Sequence, residues 1–163
     1  MMLTTSLEAP AIGSACPVAP GVLWARMPLA GVPDHINIFA LRDGDGWTLV
    51  DTGEFSAAGA AALQALRAGP LEGRPVHRVL VSHFHPDHAG QAGVLAGQGA
   101  AVWMTRPTFS DIQRARSWCG ERPNAEQLAF AVRGGLTGLP LEAFRRHAPS
   151  DYDQRVSALP ATP

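Results

Sequence analysis

Short apolar runs between residues 21 and 105 alternate with longer amphipathic stretches, and this alternation predicts strands interleaved with helices. The expected strands, which carry mainly β-branched, aromatic and other apolar side chains, cover residues 21–27, 36–42, 47–50, 79–82 and 101–104. The Asp-Gly steps at residues 43–46 predict a tight hairpin. Residues 55–68 are rich in alanine and end at a Gly-Pro pair, which predicts a helix, and a second helix is expected over about residues 88–98. This order predicts an α/β fold.

The pattern changes after residue 105. Amphipathic stretches at residues 108–118, 125–133 and 141–147, with glycines between them, predict an inserted helical region rather than more sheet. The N-terminus is rich in Ala, Pro and Ser, and the C-terminus is polar and unpatterned. The chain is therefore expected to have four parts: an irregular lead-in (1–20), an α/β layer (21–105), a helical region (106–150) and a linker-like tail (151–163).

Charge and composition argue against several classes of function. The net charge is −1, and the 13 basic residues, all arginines, are dispersed, so no nucleic-acid-binding surface is evident. Membrane association is not expected, because no apolar stretch reaches the length of a span. The N-terminus lacks the features of a signal peptide, so a cytoplasmic location is expected. Cys16 and Cys119 are too few for a disulfide framework and are expected to be free thiols.

Three of the six histidines lie within residues 83–88, which read His-Phe-His-Pro-Asp-His. Neutral imidazole and carboxylate are zinc ligands, and they also suit iron or manganese. In an extended segment residues two apart point to the same side, so His83 and His85 can converge on one ion. Asp87 and His88, at the following turn, can bind a second ion. The alternative, separate loop histidines with Asp87 as a helix cap, does not account for three histidines at this spacing.

The pattern His-x-His-x-Asp-His, followed by a glycine at residue 90, resembles the signature of the metallo-β-lactamase-fold hydrolase superfamily. Residues 37–39 (Asn-Ile-Phe) and 48–53 (Thr-Leu-Val-Asp-Thr-Gly) are similar to the early hairpin and the Asp-Thr-Gly turn of that superfamily, in the same order. The resemblance covers about residues 20–105. It implies the N-terminal part of the αβ/βα sandwich of this superfamily, with a helical excursion after its first half.

The resemblance also implies roles for individual residues. His83 and His85 would belong to the first metal position, and Asp87 and His88 to the second. Asp51, in the Asp-Thr-Gly turn, would orient the metal-binding loop. From the sequence alone, Asp51 is explained equally well as a turn aspartate between a strand and a helix.

The implied function is hydrolysis at a dinuclear metal centre, with two zinc ions or with iron or manganese. A metal-bound hydroxide would attack an ester, thioester or related bond of a small-molecule substrate, and Asp87 would orient or relay the proton. Residues 101–106 are similar to a bacterial branch of general hydrolases, which favours esters and thioesters over β-lactams. Two alternatives stay open: a non-catalytic metal-binding fragment, and a flavodiiron-like redox protein, although the latter commonly has an acidic residue where His85 stands.

The motif supplies two ligands for each ion, whereas a tight zinc site needs at least three. His147 follows no Gly-His turn and is expected to lie in a C-terminal helix, and His35 and His77 are expected at the surface. The sequence is therefore expected to be truncated before its site is complete. The apolar sheet face expected to carry Ile38, Leu49, Leu80 and Val102 would then lack part of its cover and could support self-association.

Overall fold

A computed structural model describes residues 8–119, 123–146 and 150–160. The strands are β1 (Ala15–Ala19), β2 (Val22–Pro28), β3 (His35–Asp43), β4 (Gly46–Val50), β5 (Val76–Leu80) and β6 (Ala101–Trp103). The helices are α1 (Ala57–Ala68), α2 (Pro86–Ala89), α3 (Ala92–Gly97), α4 (Arg106–Ser117), α5 (Ala125–Arg133), α6 (Gly138–Arg145) and α7 (Tyr152–Arg155).

One six-stranded sheet forms the scaffold, and its strands follow the order of the chain from β1 to β6. The first four strands are antiparallel neighbours, and β3 and β4 form the hairpin predicted at residues 43–46. β4, β5 and β6 are parallel, connected through α1 and through α2 and α3. Because parallel strands end at the same edge, the segments that follow these three strands lie side by side. The predicted α/β fold is confirmed.

One face of the sheet is packed beneath helices. Its fully buried side chains, each at most 1% exposed, include Ala25, Ile38, Leu49 and Val79. They belong to one core cluster with Leu66 of α1 and Leu95 of α3. α1 is defined at both ends, since the Ser56 side chain accepts a hydrogen bond from the Gly59 amide and the chain leaves the helix at Gly69.

The opposite face carries a line of apolar side chains across five strands, which we call the open row. The register of the strands aligns Trp24, Phe39, Val50, Leu80 and Trp103. Phe39 is 38% exposed and Trp103 is 54% exposed, so this face lacks the cover of the other. The prediction for the uncovered face is right for Leu80, which lies in the open row. It is wrong for Ile38, Leu49 and Val102, because strand alternation turns all three toward the helices.

The helix predicted over residues 88–98 is two short helices. α2 begins at Pro86, whose fixed φ suits a first helical turn and whose missing amide needs no partner there. The chain breaks at Gly90, because the Gly90 carbonyl accepts hydrogen bonds from the Ser157 amide (2.8 Å) and hydroxyl (2.6 Å). The Ser157 hydroxyl oxygen also accepts a hydrogen bond from the Gly93 amide, at 3.0 Å. Continuous helical bonding is thus replaced by bonds to a distant segment.

The described residues near each end of the chain, 8–20 and 150–160, contain more regular structure than predicted. β1 lies within the expected irregular lead-in and pairs with β2 as an edge strand, a position that tolerates Pro17. The linker-like tail is wrong for residues 152–157, because Tyr152 and Val156 pack into the core and Ser157 is also buried. Two apolar residues four positions apart were the only local sign of this packing.

The helical region contains α4, α5 and α6 close to the predicted positions, and α5 spans the predicted residues 125–133. α5 is fixed at its start by a capping box between Asn124 and Gln127. Neither α5 nor α6 buries a residue of its own. In the described part of the chain, no helix is long and apolar enough to cross a membrane.

Candidate metal centre

Two segments at the carboxyl edge of the sheet form the candidate site. β4 leads into the turn at residues 51–54, and β5 leads into residues 81–88, which we call the metal loop. The Thr52 amide donates a hydrogen bond to the His88 carbonyl at 2.9 Å, which joins the two segments. Asp51 has a φ of 63°, an uncommon left-handed conformation for a residue other than glycine. This turn directs the Asp51 side chain at the metal loop.

The metal loop brings its three histidines into contact. The ring centroids of His83 and His85 are 4.7 Å apart, and those of His83 and His88 are 4.1 Å apart. His83 Nε2 lies 3.0 Å from His85 Nδ1, and His88 Nε2 lies 3.3 Å from Asp87 Oδ2. The four residues predicted as ligands therefore lie together at the sheet edge.

Asp51 is hydrogen bonded to His88 directly and to His83 through Ser82. Its Oδ1 accepts a hydrogen bond from the Ser82 amide, and its Oδ2 accepts from the Ser82 hydroxyl and from His88 Nδ1, each at 2.8 Å. Ser82 has a single hydroxyl proton, which it donates in the hydrogen bond to the carboxylate. Its oxygen therefore accepts a hydrogen bond from His83 Nδ1, at 3.0 Å. In the neutral rings of His83 and His88, the lone pair is therefore on Nε2.

The electrostatics of the cluster follow from this network. Burial opposes ionisation of Asp51, but hydrogen bonds from His88 and Ser82 outweigh burial and hold the Asp51 pKa below its usual value. The Asp51 carboxylate raises the pKa of His88. Burial, together with the charges of His88 and His85, lowers the pKa of His83. His83 is thereby kept in the neutral form that binds metal ions.

The chemistry of the donors suits a metal ion, although the side chains are not gathered around one point. Among residues 8–119, 123–146 and 150–160, no group of three His, Cys, Asp or Glu side chains is arranged to hold an ion. One reason for this arrangement is the hydrogen bond between His83 Nε2 and His85 Nδ1, which directs the lone pair of the His83 ring at His85. Two nitrogens bound tetrahedrally to one zinc lie about 3.3 Å apart. The observed separation between His83 Nε2 and His85 Nδ1 is 3.0 Å, close to this value, so a shared ion would require loss of the proton between the two nitrogens and rotation of the rings rather than a change in their spacing.

The other histidines lie apart from this cluster. His77 Nε2 lies 2.7 Å from Asp45 Oδ1, next to the hairpin at the opposite edge of the sheet. His35 Nδ1 lies 2.6 Å from Asp34 Oδ1 and belongs to a separate group at the start of β3. His147 lies outside the described residues.

Sequence reasoning missed two residues that shape the metal loop. Ser82 stands directly before the first histidine, and a small hydroxyl residue at a strand end was the available signal. Tyr152 is 68 positions from Phe84, yet its hydroxyl donates a hydrogen bond to the Phe84 carbonyl. No local pattern could have indicated that contact.

Comparison with known proteins gives consistent matches. The chain matches the metallo-beta-lactamase superfamily over residues 31–154. It is similar to a beta-lactamase domain protein from Burkholderia ambifaria, with 36% identity and a TM-score of 0.68, over 96% of this chain and 43% of that chain. It is also similar to a metallo-beta-lactamase family protein from Thermus thermophilus, with 27% identity and a TM-score of 0.57, over 83% of this chain and 46% of that chain.

A more distant match shows the shared fold alone. A metallo-beta-lactamase from Pseudomonas aeruginosa, solved in a mono-zinc form, has 19% identity and a TM-score of 0.50, over 61% of this chain and 45% of that chain. The present chain thus spans less than half the length of each of these three structures.

Proposed function

Because the chain belongs to the metallo-beta-lactamase superfamily, we propose that it carries the metal-binding part of a metal-dependent hydrolase. The observation that carries this proposal is the contact among His83, His85 and His88, with Asp87 beside them, at one edge of the sheet. His85 is exposed, so this grouping gains little from apolar burial. Neither a flavodiiron-like redox protein nor a non-catalytic metal-binding fragment is favoured by a specific observation.

We propose that His83 and His85 hold one zinc ion and that Asp87 and His88 hold a second. Iron or manganese is compatible with the same donors. Each pair offers two ligands, whereas a tight zinc site has at least three from the protein. Since the chain spans less than half the length of its relatives, we propose that the remaining ligands come from residues outside these 163.

The side chains of this chain prepare the site for hydrolysis. When bound, zinc supplies a Lewis acid and lowers the pKa of water toward about 7. Asp51 fixes the orientation of the His88 ring through Nδ1, as outer carboxylates do for metal-binding histidines. The lowered pKa of His83 favours its neutral ring, whose Nε2 lone pair can bind a metal ion once it is released from His85 Nδ1. The Asp87 carboxylate is partly exposed and can accept or return a proton at Oδ2.

We propose a small-molecule ester or thioester as the substrate. The support for this class is the resemblance of residues 101–106 to a branch of general hydrolases, because the fold itself serves many reactions. β6 is parallel to β5, so it ends at the same edge of the sheet as the metal loop. A substrate would be bound at this edge.

The proposed function is tested by hydrolysis assays on the natural protein that contains these residues. The zinc-loaded protein is given a p-nitrophenyl ester, an acyl thioester and a chromogenic β-lactam, before and after chelation. We expect ester or thioester turnover that is lost on chelation and in His83→Ala but retained in His77→Ala, since His77 lies at the opposite edge. Turnover that survives both chelation and His83→Ala contradicts a metal-dependent mechanism. Preferred turnover of the β-lactam contradicts the substrate class.

A further inference from the structure

Residues 152–157, which we call the strap, bond several segments that form or flank the candidate site. The strap contains α7, and its Tyr152 and Val156 side chains are 6% and 0% exposed. Arg116 of α4 donates a hydrogen bond to the Val156 carbonyl at 2.7 Å, which fixes the strap to the helical region. The strap is therefore an anchored part of the fold.

The first attachment of the strap reaches the metal loop. The Tyr152 hydroxyl donates a hydrogen bond to the carbonyl of Phe84, the residue between His83 and His85. Burial raises the pKa of Tyr152 to about 12, so its hydroxyl stays protonated and remains a donor. Residues 83–85 are bends outside any strand or helix. The His85 carbonyl accepts hydrogen bonds from His88 and Ala89 at the start of α2, and the bond from Tyr152 holds the carbonyl that precedes it.

Two further attachments reach the segments on either side of the metal loop. The Arg155 guanidinium forms an ion pair with Glu54, a carboxylate that is only 5% exposed, and the Phe55 amide donates to the Arg155 carbonyl at 2.9 Å. Ser157 bonds Gly90 through both its amide and its hydroxyl. The strap thus joins the turn after β4, the metal loop and the start of α3.

From this geometry we propose that Tyr152 is a positioning residue for the metal loop. By holding the Phe84 carbonyl it fixes the peptide between His83 and His85, and with it the separation of two metal-binding nitrogens. The inference rests on the proposed metal centre, and it extends that centre to a residue that lies outside the histidine motif. Changes to residues that support ligands weaken metal binding by about 10- to 100-fold, and Tyr152 belongs at the lower end of this range because it acts through a backbone group.

The first test compares Tyr152→Phe with Thr48→Val. Tyr152→Phe removes the hydroxyl and keeps the ring, whereas Thr48→Val removes a hydroxyl that bonds Asp43, away from the metal loop. We expect Tyr152→Phe to raise the zinc dissociation constant about tenfold, measured by competition with a chromophoric chelator, and to change the visible spectrum of the cobalt-substituted chain. Thr48→Val should leave both unchanged. Equal zinc affinity and identical cobalt spectra in Tyr152→Phe and the parent chain overturn the proposal.

A second test separates the strap from the metal centre. In the metal-free chain, amide hydrogen exchange over residues 83–88 should be faster in Tyr152→Phe than in Thr48→Val. Unchanged exchange there overturns the positioning role, whereas failure of the parent chain to bind zinc or cobalt counts against the metal centre alone.

A third measurement keeps every side chain in place and does not depend on the variant folding. The chain has a single tyrosine, so fluorotyrosine incorporation labels Tyr152 only. If Tyr152 is coupled to the histidine pair, adding zinc shifts the fluorine resonance. A resonance that stays in place while zinc binds contradicts the coupling.

Discussion

Asp51 acts on two histidines at once, and its acceptor-only chemistry explains how. A carboxylate can accept hydrogen bonds from the Ser82 hydroxyl and from His88 Nδ1 together, and the Ser82 oxygen then accepts a hydrogen bond from His83 Nδ1. One buried anion therefore sets the tautomers of two rings and places a lone pair on the Nε2 atom of each, and the lone pair of His83 faces His85 Nδ1. This arrangement supports the orienting role of Asp51 over the simpler role of a turn aspartate.

Replacing Asp51 with asparagine tests this role. The amide nitrogen of Asn cannot accept a hydrogen bond, so Asp51→Asn should lose either the bond from the Ser82 amide at Oδ1 or the bonds from the Ser82 hydroxyl and His88 at Oδ2. We expect zinc binding to weaken by about tenfold, less than in His83→Ala. The control is Asp43→Asn, which alters a carboxylate that accepts from Thr48 and Arg78 far from the metal loop. Zinc titrations that show a larger loss in Asp51→Asn than in His83→Ala would make Asp51 a ligand itself.

Tyr152 offers a pH test that needs no mutation, because it is the sole tyrosine of the chain. Burial, with smaller contributions from Cys119 and Asp111 against that of Arg116, raises its pKa from 10.0 to about 12. A raised pKa favours the protonated phenol in the folded chain, so this stabilisation is complete below pH 10.0 and is lost as the pH rises toward about 12. Phenolate absorbance should appear near pH 12 in the folded chain and near 10.0 in denaturant. Coincident titrations would show that Tyr152 is not buried.

At the level of elements, the break between α2 and α3 is set by tertiary contacts around Gly90. A Cβ at this position would meet the Phe55 amide nitrogen and would lie 2.5 Å from the Gly53 carbonyl oxygen. Ser157 bonds the Gly90 carbonyl from the other side. The turn after β4, the helix pair and the strap can approach one another only because position 90 lacks a side chain.

Gly90→Ala and Gly97→Ala form a matched pair that tests this packing. Gly90→Ala should lower the free energy of unfolding by about 1–3 kcal/mol, as overpacking does. Gly97→Ala places its methyl group in open space at the end of α3 and should raise the free energy of unfolding by about 0.5–1 kcal/mol. Urea denaturation measures both, and equal effects would mean that the contacts around Gly90 are not tight.

The elements and ligands that the sequence predicted were those with local causes. Alternating apolar runs predicted β2 to β6, and the ligand candidates were visible because six consecutive positions contain them all. β1 was missed because Ala15–Ala19 is short, contains a proline and depends on pairing with β2. The strap was missed because its bonds span many residues. The open face was misassigned because Ile38 and Phe39 are both apolar, so alternation alone cannot tell which side is covered.

For the whole molecule, the sheet has one covered face and one exposed face. The open row crosses five strands, and its Phe39 and Trp103 side chains remain substantially exposed. At about 25 cal/mol per Å², covering such a surface is favourable, and large exposed apolar patches commonly mark interaction sites. We propose that two copies of the chain associate through the open row.

Sedimentation velocity over a range of concentrations tests self-association. The parent chain should show concentration-dependent dimers, and Phe39→Arg should weaken them by placing a charge within the open row. Val32→Arg is the control, since Val32 is fully exposed on a loop and lies outside the row. A parent chain that stays monomeric at every concentration would remove the open row as an association surface.

Zinc binding by the histidine cluster is measured by zinc titration of four chains. The comparison is the parent chain with His83→Ala, His85→Ala and His77→Ala, each dialysed, titrated with zinc and assayed for bound metal. We expect the parent chain to bind zinc weakly and to retain about one equivalent or less, because each proposed metal position has two ligands within these residues. Binding should fall in His83→Ala and His85→Ala and be unchanged in His77→Ala. Equal zinc binding by His83→Ala and the parent chain would contradict the account.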